Sequence, residues 1–150
     1  MSSELPAGVS GNMPVVLVID DQEANISVVG QLLTRSGYDV IPALTGEEGL
    51  ERAAGSYLPD LILLDMRMPG LSGFDVLQKL KDNPQTRGIP VIFLTADDER
   101  DNVTRAFSAG AVDYITKPFV AQELLGRVNT HIDLKQARDT LERFVAEKQQ

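Results

Sequence analysis

The sequence predicts an α/β fold in which an open parallel sheet is covered by helices on both faces. Short apolar runs alternate five times with longer stretches in which apolar residues recur at helical spacing. Three of the runs, VVLVI, LILL and VIFL, are apolar at every position, which is typical of strands that are buried on both faces. A chain of 150 residues is long enough for one domain with a well-buried core.

The predicted elements follow one another as strand and helix in regular alternation. The strands are predicted at Val15–Ile19, Asp39–Ala43, Leu61–Leu64, Val91–Leu94 and Val112–Ile115. The second strand mixes polar with apolar residues, so it is expected at the outside of the sheet. The apolar faces of the five helices are predicted to comprise Ile26, Val29, Leu32 and Leu33; Leu50, Ala53 and Ala54; Phe74, Leu77 and Leu80; Val103, Ala106 and Phe107; and Leu124, Leu125, Val128 and Ile132.

Three residues are predicted to mark the ends of helices. Gly37 and Gly110 are expected to follow the first and the fourth helix, because glycine readily adopts the left-handed conformation found just past a helix. Ser72 is expected to cap the start of the third helix.

Both ends of the chain differ from the alternating region. Residues 1–13 are rich in Gly, Ser and Pro and are expected to form a flexible leader. Residues 14–133 are expected to form the folded domain, and residues 134–150 to extend its last helix. The a/d spacing of a coiled coil is followed in this extension by Leu134, Ala137, Leu141 and Phe144. A dimerising helix and a solvated helical extension both fit this pattern, because it is shorter than two heptads.

The composition excludes several classes of function. The chain has no cysteine and a single histidine, His131, so disulfides, thiolate catalysis and multi-histidine metal centres are excluded within one chain. His131 is itself expected to be a structural or surface residue. The formal net charge of −8 argues against a nucleic-acid surface, because phosphate backbones are bound by an excess of Lys and Arg. No run is long enough for a membrane helix and no signal peptide is evident, so a cytoplasmic location is expected.

Polar or charged residues follow four of the five predicted strands. Asp20 and Asp21 follow the first strand, Asp65 follows the third and Thr95 the fourth. Lys117 comes shortly after the fifth strand. The carboxyl ends of parallel strands meet at one edge of a sheet, where the functional groups of open α/β folds collect. Three carboxylates brought together there would form an all-oxygen pocket of the kind that Mg²⁺ prefers.

Each of these residues also has a purely structural interpretation. The two adjacent acids could cap a helix, and Asp65 could begin the turn that follows it. Thr95 could be an ordinary β-branched strand end, and Lys117 could be a solvated surface lysine. The combination favours a functional site, because adjacent acids repel each other without a cation and a turn does not explain an acid directly after a buried run. Pro118 also allows the rare cis form of the preceding bond, which redirects a side chain.

The same residues resemble the receiver domain of the response regulators of two-component signalling. The resemblance rests on DD at 20–21, D at 65 within LILLDMRMPGLSGFDVL, T at 95 within IFLTA and KP at 117–118, together with their spacing. It covers about residues 15–132. The family implies a flavodoxin-like fold, a three-layer (βα)5 sandwich whose parallel strands have the order 2-1-3-4-5, here followed by an extended C-terminal helix.

By position, the resemblance implies a role for each residue of the acidic site. Asp65 is expected to accept a phosphoryl group from the phosphohistidine of a histidine kinase or of a phosphotransfer protein. Asp20, Asp21 and Asp65 are expected to hold Mg²⁺ together with the backbone carbonyl of Arg67. Lys117 is expected to contact the phosphoryl group. No matched side chain departs from the family pattern, so the site is expected to be competent.

The resemblance also implies a switch. Thr95 is expected to move towards the phosphoryl group and Tyr114 to fill the space that it leaves, while Arg67 and Asp97 tune the phosphoryl lifetime. This motion would alter the surface of the fourth helix, fifth strand and fifth helix. That surface or the C-terminal helix is the expected site of homodimerisation, and an output domain is expected outside this sequence. The domain is not expected to be a free-standing enzyme, although it catalyses its own phosphorylation and dephosphorylation.

Three other functions are weighed against this interpretation. A phosphatase with an aspartyl-phosphate intermediate usually carries a second Asp two residues after the nucleophile, where this chain has Arg67. A flavodoxin-type FMN carrier needs a hydroxyl- and Gly-rich phosphate loop after the first strand, where this chain has Asp-Asp-Gln-Glu. A docking module that works without phosphorylation would leave the acidic pocket unexplained.

Overall fold

Strands and helices alternate through the part of the chain that the structure describes, as the sequence predicts. The computed structural model describes residues 13–55, 57–96 and 100–148. Its elements are β1 (Val15–Ile19), α1 (Glu23–Arg35), β2 (Asp39–Ala43), α2 (Gly46–Ala53), β3 (Leu61–Asp65), α3 (Gly73–Asp82), β4 (Val91–Thr95), α4 (Arg100–Ala109), β5 (Asp113–Thr116) and α5 (Ala121–Lys148).

The strands form one parallel sheet with the order β2-β1-β3-β4-β5, which confirms the predicted topology. β1 pairs with β2 on one side and with β3 on the other, so that Val16 lies opposite both Val40 and Leu61. The chain first moves outwards from β1 to β2 and then returns past β1 to β3. The crevice at the carboxyl ends of β1 and β3 is therefore the topological switch point, where open α/β sheets bind their ligands.

The core consists of two layers, one on each face of the sheet. Leu17 and Ile19 of β1 belong to the layer covered by α2, α3 and α4. Val16 and Val18 belong to the opposite layer, covered by α1 and α5. Because helices cover both faces, β1, β3 and β4 are buried along their entire length. Burial of each of these aliphatic side chains contributes about 1.5–3 kcal/mol to the free energy of unfolding.

β2 lies at the edge of the sheet, as its mixed composition predicts. Among the described strands it pairs only with β1, and Pro42 within it is exposed. An edge strand tolerates proline because one side of the strand has no neighbour that requires its backbone N–H.

Two strands run further than predicted, and one is displaced. β3 ends at Asp65 and β4 at Thr95, one residue beyond the predicted runs, while β5 begins and ends one residue later than predicted. Asp65 lies opposite Leu94 in the sheet, and Thr95 lies opposite Thr116. The backbones of these two polar residues are therefore fixed by the sheet and not by a loop.

Two side chains that were predicted on buried helix faces are exposed. Ala54 follows the end of α2, and Phe107 of α4 is 46% exposed. α4 packs on the sheet through Ala106 instead, and Phe107 lies beside Tyr114 with ring centroids 6.2 Å apart. Neighbouring residues on a helix point about 100° apart, so helical spacing alone did not decide which of the two faces the sheet.

The predicted helix ends are confirmed. Gly37 follows α1 with φ +92° and Gly110 follows α4 with φ +111°, both in the left-handed region that favours glycine. Ser72 caps α3 by accepting a hydrogen bond from the backbone N–H of Asp75. The carboxylate of Asp75 accepts in return from the backbone N–H of Ser72, at 3.1 Å, which completes a capping box.

α5 is continuous up to Lys148, so the predicted helical extension is present as far as the structure describes it. The predicted leader, apart from Met13, lies outside the described residues, and the boundaries of the domain stay predictions. Within residues 13–55, 57–96 and 100–148, no helix combines the length and the hydropathy that a membrane crossing needs.

The glycines of α2 and α5 predict opposite effects on stability. A methyl group added at Gly126 of α5 would meet no atom within 4 Å, so Gly126→Ala is expected to raise the free energy of unfolding by about 0.5–1 kcal/mol. A Cβ at Gly49 of α2 would lie 2.4 Å from Cδ1 of Ile19, so Gly49→Ala is expected to lower it. Urea unfolding of both variants tests this pair, and equal shifts in one direction would contradict it.

Candidate functional site

The predicted site residues converge at the carboxyl edge of the sheet. Asp20 directly follows β1, Asp65 and Thr95 end β3 and β4, and Lys117 directly follows β5. The side chains of Asp65, Thr95 and Lys117 line a cavity of about 180 Å³ together with Asp21. Asp20, Asp65 and Thr95 are buried, whereas Asp21 is exposed at the rim.

The three acids form one cluster. Each of Asp20, Asp21 and Asp65 offers a carboxylate oxygen, and these oxygens lie within 4.8 Å of one another. The acids at positions 20 and 21 are not the N-cap of α1, because Gln22 occupies that position. The carboxylate of Asp20 accepts hydrogen bonds from the backbone N–H of Gln22 at 2.9 Å and from the side-chain amide of Asn25 at 3.2 Å. These two bonds orient Asp20 towards the cluster.

Lys117 joins two of the acids and is not a solvated surface lysine. Its ammonium group lies 3.3 Å from Oδ2 of Asp20 and 3.3 Å from Oδ1 of Asp65. Its backbone N–H donates to the carbonyl of Thr95 at 2.7 Å, which holds the end of β5 against the end of β4. The Lys117–Pro118 peptide bond is cis.

A close backbone approach fixes the segment after Asp65. The backbone N–H of Gly73 donates to the carbonyl of Met66 at 3.0 Å, which brings the start of α3 against the end of β3. A Cβ at Gly73 would lie 2.4 Å from the carbonyl oxygen of Asp65, so no larger residue fits there without moving this backbone. Sequence reasoning missed Gly73 and Asn25. The signal for Gly73 was its position directly after the capping serine. The signal for Asn25 was an amide side chain about one helical turn after the paired acids.

The environment of Asp65 raises the pKa of its carboxyl group to about 7. Burial is the main cause, because it disfavours the charged form, and repulsion from Asp20 adds to it. Two neighbours lower the pKa of Asp65. Lys117 attracts the carboxylate and donates a hydrogen bond to it, and the backbone N–H of Arg67 donates another. Together the three carboxylates and one ammonium group carry a formal charge of −2 when all are ionised. The site therefore holds excess negative charge that a cation can offset.

The raised pKa of Asp65 predicts a pH-dependent stability in the absence of divalent cations. The folded state binds a proton up to about pH 7 and the unfolded state only up to about pH 4, so this group stabilises the fold at low pH and ceases to do so as the pH rises towards 7. Asp65→Asn keeps a neutral group at every pH. It is therefore expected to be more stable than the wild type above pH 7, by about 2 kcal/mol after allowance for solvent screening.

Urea unfolding in a chelator at pH 5 and at pH 8 measures this difference. A stability difference between Asp65→Asn and wild type that does not grow with pH would contradict the prediction. Addition of a divalent cation is expected to shrink the difference at pH 8, because the cation offsets the charge of the ionised carboxylate.

The donor set fits a hard divalent cation. The cluster offers only oxygen ligands, two of them from buried acids, and lies beside a cavity that is large enough for water. The cluster contains the three side chains that the sequence assigns to the metal, Asp20, Asp21 and Asp65. Arg67 lines the same cavity, and its backbone N–H donates to Oδ1 of Asp65 at 3.4 Å.

Not all of the predicted switch residues meet at the cavity. Tyr114 does not line it and is half-buried beside Phe107, two residues before Thr116, which pairs with Thr95. The guanidinium carbon of Arg127 lies 5.8 Å from the ring centroid of Tyr114. Asp97, a predicted tuning residue, lies outside the described residues.

His131, expected to be a structural or surface residue, contacts an acid of another element. Its Nε2 lies 3.0 Å from a carboxylate oxygen of Asp113 at the start of β5. The other oxygen of Asp113 accepts from Arg127 at 2.5 Å. The group ties α5 to β5 at a distance from the acidic cluster.

The fold and the site together define a class of protein. A five-stranded parallel sheet of this order, with clustered acids and a lysine at the switch point, is the arrangement of the CheY-like domains. The family model described as "Response regulator receiver domain" matches residues 16–129. The chain belongs to the response regulator receiver domain family.

Individual relatives agree with this assignment. The chain is 44% identical over 126 residues to "Response regulator PleD" of Caulobacter vibrioides, covering 84% of this chain and 28% of the relative. It is 42% identical over 113 residues to "Alkaline phosphatase synthesis transcriptional regulatory protein PhoP" of Bacillus subtilis, covering 75% of this chain and 46% of the relative. The chain therefore spans less than half of the length of these two curated relatives.

Solved structures show the same fold. A response regulator receiver domain protein from Clostridium thermocellum is similar with a TM-score of 0.76 and 34% identity, covering 83% of this chain and 98% of the other. The chemotaxis protein CheY4 of Vibrio cholerae is similar with a TM-score of 0.74 and 28% identity, covering 79% and 98%. Both structures are matched over nearly their whole length.

Proposed function

We propose that this receiver domain is a phosphoacceptor switch that takes a phosphoryl group onto Asp65 from the phosphohistidine of a histidine kinase or of a phosphotransfer protein. The observation that carries the proposal is the position of Asp65. Its carboxylate ends a central strand, lines a cavity, lies 3.3 Å from the ammonium group of Lys117 and shares an acidic cluster with Asp20 and Asp21. Burial of an ionisable acid costs free energy of folding, and groups with such perturbed pKa values cluster at functional sites. The setting of Asp65 therefore supports a catalytic role.

The transfer itself needs positioning and neutralisation of charge more than covalent chemistry. An oxygen of Asp65 forms a bond to phosphorus while the P–N bond to the donor histidine breaks, and the imidazole takes the electron pair of the broken bond. Lys117 offers its ammonium group to a phosphoryl oxygen beside the new bond. Asp20, Asp21, Asp65 and the backbone carbonyl of Arg67 would hold Mg²⁺. When bound, that ion would supply positive charge that offsets the negative charge of the phosphoryl group.

The switch is proposed to begin at Thr95. Thr95 is buried and lines the same cavity as Asp65, so a movement of its side chain would bring its hydroxyl to a phosphoryl group on Asp65. Tyr114 would then rotate inwards from its position beside Phe107. Because Phe107 is exposed, this rotation would change the surface formed by α4, β5 and α5. The change requires two states that differ by only a few kcal/mol, which phosphorylation biases.

The proposed tuning residues are Arg67 and Asp97, two positions after Asp65 and Thr95. Arg67 is exposed and lines the cavity, where a large side chain would limit the approach of water to the phosphoryl group. Exclusion of water would lengthen the phosphoryl lifetime. The domain would thus catalyse its own phosphorylation and dephosphorylation without turning over an external substrate.

The proposed partners are the kinase or phosphotransfer protein that donates the phosphoryl group and an output domain or protein that receives the signal. This chain covers only 28% of the length of PleD and 46% of the length of PhoP, which supports an attached output module. The surface of α4, β5 and α5 and the C-terminal part of α5 are the two proposed dimer interfaces. The net charge of −8 supports neither nucleic-acid binding by this domain nor a membrane surface.

Incubation with acetyl phosphate and Mg²⁺ tests the proposed function. Intact-mass measurement is expected to show the addition of one phosphoryl group, which hydroxylamine removes because it cleaves acyl phosphates. A chelator is expected to prevent the addition. A protein that stays unmodified at saturating donor and Mg²⁺, or that carries hydroxylamine-resistant phosphate, would contradict the proposal.

A further inference from the structure

Asn25 of α1 holds the buried carboxylate of Asp20. Its side-chain amide donates to Oδ2 of Asp20 at 3.2 Å and to Oε1 of Gln22 at 2.9 Å. A primary amide has a pair of N–H groups, so both donors of Asn25 are engaged. Asn25 is the third residue of α1, and its backbone N–H donates to the carbonyl of Gln22 at 3.1 Å. The helix therefore fixes the position from which the amide reaches Asp20.

Capping of α1 does not explain these contacts. In a capping box, the side chain of the third helical residue accepts a hydrogen bond from the backbone N–H of the N-cap residue. Gln22 is the N-cap of α1, but its backbone N–H donates to Oδ1 of Asp20 at 2.9 Å. Asn25 donates to two side-chain oxygens instead of accepting from the backbone. Its amide therefore serves Asp20 more directly than the end of the helix.

The donors to Asp20 are divided unequally between its two oxygens. Oδ2 accepts from the amide of Asn25 and lies 3.3 Å from the ammonium group of Lys117. Oδ1 accepts from the backbone N–H of Gln22. Each oxygen of a carboxylate can accept about two hydrogen bonds. Oδ2 is therefore filled in the described part of the chain, whereas Oδ1 has room for one more ligand.

We propose that Asn25 is a positioning residue for phosphoryl transfer, which fixes Oδ2 of Asp20 so that Oδ1 stays open to Mg²⁺ and Lys117 is free to turn to the phosphoryl group. This role depends on the function proposed above and adds a residue of α1 to the site around Asp65. Asn25 would act through Asp20 and Lys117, without touching the reacting atoms.

The need for such a residue follows from the position of Lys117. Its ammonium group lies 3.3 Å from Asp20 and 3.3 Å from Asp65. A phosphoryl group on Asp65 adds negative charge beside Lys117 and would draw it away from Asp20. Asp20 is 0% exposed, so water cannot readily replace the lost donor, and an unpaired buried carboxylate is costly.

A neutral amide suits this task better than a second cation would. The amide of Asn25 keeps a donor on Oδ2 of Asp20 when the ammonium group of Lys117 moves. Because the amide carries no net charge, it does not repel a cation bound by the acidic cluster. Asn25 therefore supports the orientation of Asp20 at little cost to the attraction for Mg²⁺.

Thermal unfolding with increasing Mg²⁺ tests this role without phosphoryl chemistry. Asn25→Ala is expected to weaken the binding of Mg²⁺ about ten-fold, because Asp20 loses a group that orients it. Alanine favours a helix more than asparagine does, so the variant is expected to unfold in a chelator at nearly the same urea concentration as wild type. Gln31→Ala is the matched control, since it removes an exposed amide further along α1, and it should bind Mg²⁺ like wild type.

Two results of this experiment would overturn the proposal. One is an Asn25→Ala variant with the Mg²⁺ affinity of wild type. The other is a variant that unfolds at lower urea in a chelator but keeps its full stabilisation by Mg²⁺, which would show a structural role only. Phosphoryl uptake by the wild type reports the proposed function separately.

A double-mutant cycle with Lys117→Met tests the shared oxygen. Without the ammonium group, Asn25 is the side-chain donor that remains on Oδ2 of Asp20. The loss of Mg²⁺ affinity caused by Asn25→Ala is therefore expected to be about three-fold or more larger in the Lys117→Met background than in wild type. Equal losses in the two backgrounds would show that Asn25 and Lys117 act independently, and the proposal would be wrong.

Discussion

Asp65→Asn is expected to abolish phosphoryl uptake from acetyl phosphate, with a loss of more than about 100-fold relative to wild type. The reason is chemical, since the amide has nearly the same shape as the carboxylate but is a far weaker nucleophile. The fold should be retained, because the buried amide avoids the cost that raises the pKa of Asp65 to about 7. Intact-mass measurement with saturating donor and Mg²⁺ gives the result directly.

Asp82→Asn is the matched control for this prediction, because Asp82 is an exposed acid at the end of α3, away from the cavity. It is expected to take up phosphate at the wild-type rate. Near-normal modification of Asp65→Asn would show that another residue is the acceptor, and the role proposed for Asp65 would then be wrong. Loss of uptake in both variants would point to a defect in the preparation, which circular dichroism separates from a defect in the site.

Asp21→Asn is expected to weaken the binding of Mg²⁺ about ten-fold or more, which is the second large effect. Removal of one of three clustered carboxylates lowers both the number of charged ligands and the attraction for a dication. Asp21 is exposed, so its replacement should change the stability of the metal-free protein little. The loss of affinity therefore reports on metal binding and not on unfolding.

Thermal unfolding with increasing Mg²⁺ measures this effect without any phosphoryl chemistry. A ligand that binds only the folded state stabilises it by about 2.7 kcal/mol at a concentration 100 times its dissociation constant. The Asp21→Asn variant should need correspondingly more Mg²⁺ for the same rise in melting temperature, and Asp82→Asn should follow the wild type. If Mg²⁺ does not stabilise the wild type, the acidic cluster is not a magnesium site.

Much of this site could be predicted from the sequence, because chain order and strand ends are local properties. The acids at 20, 21 and 65 directly follow or end runs that are apolar at every position, and parallel strands bring such ends to one edge. The strand order came from the family resemblance and is confirmed. Helical periodicity located all five helices, although it placed Phe107 on a buried face when that side chain is exposed.

Other properties depend on atoms that are distant in the chain, and only the tertiary structure decided them. The pKa of Asp65 depends on burial and on Asp20, which lies 45 positions away in the sequence. Lys117 contacts both acids from the end of β5, the strand at the edge of the sheet. The exposure of Leu134 and Leu141 depends on which face of α5 the sheet covers. The sequence by itself determined which groups are present and which strand carries each of them. Packing determined their distances and their ionisation, because Coulomb energies and desolvation depend on separation and burial and not on order along the chain.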